Sequence, residues 1–351
     1  MNHPGFRLST PGDVFVAVSC LLSFYPTDSL VIILLAPGPG RDELRATAAA
    51  RHDLGLPEGL HADAAAQVAD FAVANNAVAV FAVVVDSTAQ QHDPGGRPRV
   101  LDAVERALAQ RGIAIERVWA TRTIQPGAPW WSLHGPVESG TIPAPADSAI
   151  SSQYTSRGRP TRPSYDDITE LVAPDREVVD RVRGVLAARG SVQQPRISDD
   201  GLTLLGTDDR AAVAAILARV DDVAAGAAME PEDLAELAVA LRNSTVRACV
   251  CGLVSTGRAQ AARQLWAVLT RGLPDPDRAD AAILLALSAY HAGEGVLADR
   301  AATTALHSVP DHPVAQLLLA SLRAGTPPDH LAPVVRRGHD IASTLDVDLH
   351  H

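Results

Sequence analysis

The chain has 351 residues, 47% of them hydrophobic and 4% aromatic, with a formal net charge of -11. That length holds two domains of ordinary size, and the apolar fraction excludes global disorder. The acidic balance argues against a general nucleic-acid or anionic-membrane binder, because phosphate contacts need clustered cations.

In chain order, Gly12-Asp13 predicts a helix running through Phe24, with the Asp near its positive end. Its apolar run has the length of a signal-peptide core. Asp13 before it and Pro26 and Asp28 after it argue against that reading. Pro26-Thr27-Asp28 predicts a turn, and Ser29–Leu35, wholly apolar after its first residue, predicts a strand buried on both faces. Leu44–Leu54 is ambiguous between helix and strand. Asp63–Asn75 predicts a helix, Ala77–Val85 a central strand closed by Asp86, and Gln90–Pro98 a polar loop. Val100–Gln110 predicts a helix stopped at Gly112. Ile113–Thr123 alternates like a strand, and Trp130–Leu133 is a short one. The order α-β-β-α-β-α-β-β implies a mixed sheet with packed helices.

Residues 135–165, rich in Pro, Ser, Gly and Arg, read as a linker or wrapping arm. Arg157, Arg159 and Arg162 within it form the best local basic candidate and read as a solvated loop. Beyond it the signals are helical. Asp175 begins a helix to Ala188, 190–206 is a connection, Thr207-Asp208-Asp209 cap a helix to about Val223, and Pro231 opens the next. Gly257, Ala262 and Pro274 recur as Gly293, Ala298 and Pro310. That offset of about 36 residues is close to the tetratricopeptide period. Leu284, Leu287 and Tyr290 form an apolar face, and Leu317, Leu318 and Leu322 are expected to begin a third unit.

Leu21-Leu22-Ser23-Phe24-Tyr25-Pro26-Thr27-Asp28-Ser29-Leu30-Val31 resembles the opening motif of an actinobacterial family, domain of unknown function 4192, with Ser23 in place of that motif's Gly. Arg51-His52-Asp53-Leu54 is similar to a second motif of the family, and Trp130-Trp131-Ser132 with Gly140-Thr141-Ile142-Pro143 to a third. The family pattern carries cysteines between the last two pieces, and this chain has none there. The resemblance extends over nearly the whole chain. It implies that Leu44–Leu54 is a strand and that Ala281–Ala324 is a repeat-like tail, and it carries over no catalytic residue.

All 30 basic residues are arginine. A Walker-A lysine, a kinase strand lysine and a Schiff-base amine are therefore excluded in their standard forms. A lysine-free, Ala/Val/Arg-rich chain suits a GC-rich genome. Cys20, Cys249 and Cys251 have no chelating spacing and read as core residues, which suits a reducing cytoplasm. No apolar run reaches membrane-spanning length.

The ligand-binding candidates are Asp28, Ser29, Arg51, Asp53, Asp86 and Trp131. Asp86 ends the central strand, where open α/β sheets place their sites; the competing reading is an Asp turn or helix cap. Asp28 and Ser29 either cradle a ligand or stabilise the turn. Arg51 and Asp53, alternate residues on a strand, share a cleft or form an ion pair. Trp130 and Trp131 point to opposite faces, so at most one lines a pocket. No metal site is expected and no cofactor is assigned.

The fold expectation is an N-terminal α/β domain with a mixed sheet and packed helices (1–160), then an all-α, tetratricopeptide-like domain (161–345) with helical hairpins from about residue 243. The functional expectation is a cytoplasmic binding module. Its C-terminal helices would meet a protein partner, and its α/β part would take a small ligand. The alternative is a hydrolase or nucleotide-processing enzyme using carboxylates at strand ends.

Overall fold

The computed structural model describes residues 8, 10–38, 40, 43–90, 97–144, 148, 150–152, 161–189 and 207–350. The expected connection over 190–206, most of the expected loop over Gln90–Pro98, and Arg157 and Arg159 lie outside the described residues. The chain forms two compact units. One comprises Met1–Asp167 with Ser321–Pro327, the other Ile168–Ala320 with Pro328–His351.

The first unit opens with α1 (Pro11–Leu22). Thr10 caps it reciprocally: Asp13 N donates to Thr10 Oγ1 at 3.2 Å and Thr10 N to Asp13 Oδ2 at 2.9 Å. The helix stops short of the expected Phe24, because Ser23 turns left-handed at φ 64°. Glycine is favoured at such a helix end, so the Gly-to-Ser departure in the opening motif falls on a backbone requirement.

A six-stranded sheet follows, in the order β2-β1-β3-β4-β5-β6. Its strands are β1 (Ser29–Pro37), β2 (Leu44–Asp53), β3 (Ala79–Val85), β4 (Ala114–Thr121), β5 (Pro129–His134) and β6 (Ser139–Thr141). β3 and β4 are parallel, joined through α3 (Arg99–Gln110); the other neighbours are antiparallel. The ambiguous Leu44 segment is thus a strand. Its alanines suit a helix, but pairing with β1 along its whole length overrides local preference. β6 lies inside the expected linker and pairs with β5 through Trp131↔Ser139.

β1 is buried through to Ala36 on both faces, as its composition requires. Leu30, Ile32, Val80, Ala82, Val84, Val118 and Ala120 pack with α2 (His61–Ala74) and α3 in one apolar cluster. The other face, with Val31, Ile33, Val83 and Trp130, meets α1, whose Phe15 ring lies 5.9 Å from Trp130. Gly140 admits the third motif against that indole: a Cβ there would sit 2.8 Å from Trp130 Cζ2.

The second unit is helical among its described residues, with α4 (Arg176–Ala188), α5 (Thr207–Ala224), α6 (Pro231–Leu241) and α7 (Ser244–Val250) leading to a 3-10 turn at Cys251–Ser255. Then come α8 (Ala259–Gly272), α9 (Asp277–His291), α10 (Gly295–Ser308), α11 (Pro313–Arg323, its residues from Ser321 onward falling in the first unit) and α12 (Ala332–Thr344). The recurring residues occupy matching places. Ala262 and Ala298 are buried in α8 and α10, and Pro274 and Pro310 follow those helices. Of the leucines expected to begin a third unit, Leu318 is buried, Leu322 is half-buried and Leu317 is 67% exposed; α11 buries Ala315, Leu318 and Leu319.

Charged pairs interlock these helices. Arg242 grips Asp277 with two bonds of 2.8 Å, the Asp277 side chain being 8% exposed and that of Arg242 38%. Arg247 lies 3.2 Å from Asp280, and Asn243 Nδ2 donates to Asp209 at 2.6 Å. Elsewhere the backbones touch directly: a Cβ on Gly338 of α12 would fall 2.5 Å from Gly252 N. Burial pushes the Cys249 thiol up to about 11 and the Cys251 thiol up to about 12, so both serve as apolar filling.

Candidate functional site

Strand register gathers most of the candidate residues at one end of the sheet. Ser29 lies opposite Asp53 on one side and Val85 on the other, and Val85 lies opposite Thr121. The loop residues Asp28, Asp86 and Arg122 adjoin this row at the carboxyl ends of β3 and β4. Leu54 N donates to Asp28 O at 2.8 Å and Asp86 N to Thr121 O at 3.0 Å, which extends the ladder by one step on each side.

Asp28 sits at φ 43°, a left-handed conformation that Asp tolerates better than most residues. Its Oδ1 accepts from Ser87 N at 3.0 Å and from Ser87 Oγ at 2.8 Å. Those bonds, the backbone one foremost, hold its carboxyl below the usual range. They also tie the turn before β1 to the loop after β3. Asp86 is arranged alike, its Oδ1 accepting from Thr88 N at 2.8 Å and Thr88 Oγ1 at 2.7 Å. This is the Asp-turn geometry weighed from the sequence. Arg122 Nε donates to Ala89 O at 2.7 Å and pins the same loop.

Ser29 is fully buried, and its hydroxyl is committed: it donates to Thr27 O at 2.6 Å and accepts from Arg51 Nε at 2.9 Å. Arg51 also pairs with Asp53 and lies 5.5 Å over the ring of Tyr165, which packs against Phe24. Arg162 N donates to Ser23 O at 2.9 Å and Tyr25 N to Arg162 O at 3.2 Å, so this arm residue runs beside the opening motif. The first two motifs thus meet through Arg51. His52 points to the opposite face, where burial lowers its basicity, with Arg51 adding to the effect.

The structure therefore brings Asp28, Ser29, Arg51, Asp53 and Asp86 to one sheet end. It sets Trp131 apart, 6% exposed within the apolar cluster on the α2–α3 face. Trp130 is buried on the other face, as strand alternation requires. Arg122 and Tyr165 complete the site and were not found from sequence. Arg122 directly follows a strand, a signal that could have marked it. Tyr165 carries no local signal.

Among the described residues no three of His, Cys, Asp and Glu converge in a way that could hold a metal ion. No single described helix is long and apolar enough to cross a membrane. The chain matches no curated protein and no solved structure. The family model for a domain of unknown function, DUF4192, matches residues 11–329, nearly the whole chain, and the chain belongs to that family.

Proposed function

We propose that this chain is a cytoplasmic binding module, its α/β unit taking a small polar ligand at the carboxyl ends of β3 and β4. The observation that carries this reading is the parallel state of Asp28 and Asp86. Each carboxylate is anchored through Oδ1 to a neighbouring Ser or Thr, while Oδ2 has no hydrogen-bond partner among the described residues. Anchored acceptors at a strand end suit a hydroxyl-bearing ligand such as a nucleotide or nucleotide sugar. The same anchoring favours binding over hydrolysis. Asp53 is spent on Arg51, and the other two carboxylates each hold a turn through Oδ1.

The helical unit, with its recurring Gly, Ala and Pro positions, is read as a tetratricopeptide-like surface for a protein partner, with the exposed Leu317 as a contact. The lysine-free composition supports an actinobacterial source.

The test is a thermal-shift panel of nucleotides, nucleotide sugars and divalent metals on the full chain, with Asp28→Asn and Asp86→Asn alongside. A ligand at 100 times its Kd adds about 2.7 kcal/mol. The expected result is a shift in the wild type that both variants lose. A flat panel overturns the ligand assignment, and a shift that survives both substitutions moves the site elsewhere. For the partner surface, cross-linking capture with the full chain is expected to lose its product in Leu317→Glu.

A further inference from the structure

No further inference is drawn: the strongest candidate, the hydrogen-bonded Ser255–His339 side-chain pair between the 3-10 turn and α12 (Oγ to Nε2 2.9 Å), carries nothing because the Ser255 hydroxyl already donates to Gly252 O at 3.2 Å and no described group hydrogen-bonds the other imidazole nitrogen.

Discussion

The sheet end of the first unit and the helix interlock of the second both concentrate charge, but they use it in opposite ways. At the sheet end Asp28 is exposed and Asp86 half-buried, and each is bonded through one oxygen to a hydroxyl and a backbone amide. In the helical unit Asp277 is nearly buried, and both of its oxygens are claimed by a single guanidinium. The first arrangement leaves acceptor capacity facing outward. The second turns both oxygens to one partner and serves to fix one helix against another.

Arg242→Ala breaks this contrast most severely. It strands a carboxylate that is 8% exposed, and the expected loss is about 3 kcal/mol in urea unfolding. Asp277→Ala leaves an arginine that water already reaches, and the expected loss is about 1–2 kcal/mol. Equal losses would show that desolvation of the carboxylate is not the deciding term.

At the sheet end the comparable change is smaller. Asp28→Ala forces a residue without a side-chain acceptor to hold φ 43°, and is expected to lose about 1–2 kcal/mol. Asp28→Asn keeps both the left-handed tolerance and an acceptor, and should lose less than about 0.5 kcal/mol. Ser23→Gly should raise stability by about 1 kcal/mol. It relieves the left-handed helix end and removes a buried hydroxyl that has no hydrogen-bond partner among the described residues.

The gentlest probe is pH, and it sets the two regions against each other. The carboxyl of Asp28 is held below its ordinary value by Ser87. Its contribution is present above the unfolded value, near 4, and is lost as pH falls through the folded one. The carboxyl of Asp280 is raised by burial, which outweighs Arg247 and His312. Its contribution is present below the unfolded value and is lost as pH rises through the folded one. Measured between pH 3 and 6, Asp28→Asn should remove a rising component of stability and Asp280→Asn a falling one. Slopes of the same sign would sink the comparison.

Much of the architecture was legible where composition and burial coincide. β1 reads as a strand because nothing polar follows Ser29 until the chain turns, and the structure buries it through to Ala36. The helix starts at Asp175 and Pro231 were legible because caps are local chemistry. β6 was not: Ser139-Gly140-Thr141 has no strand character of its own and exists by pairing with β5. The site was half legible. Arg51 and Asp53 share a face by strand alternation alone. That Asp28 meets Ser87 depends on β1 pairing with β3, a long-range register that no local pattern encodes. Leu317 misled for the related reason that an apolar residue says nothing about whether a neighbour will cover it.

The contact between Gly252 and Gly338 bears on how this chain can change by descent. The smallest side chain on Gly338 would put a methyl 2.5 Å from a backbone nitrogen, and one on Gly252 would meet Leu349 Cδ1 at 2.8 Å. A methyl on Gly338 therefore needs the backbone of the 3-10 turn to move, whereas one on Gly252 needs Leu349 to give way. The outer surface of α12 exposes Val334, Arg336 and Arg337 and meets no such steric limit. Its inner seam, at Gly338, fits against the backbone of the 3-10 turn before α8, so a side chain there is expected to disturb both.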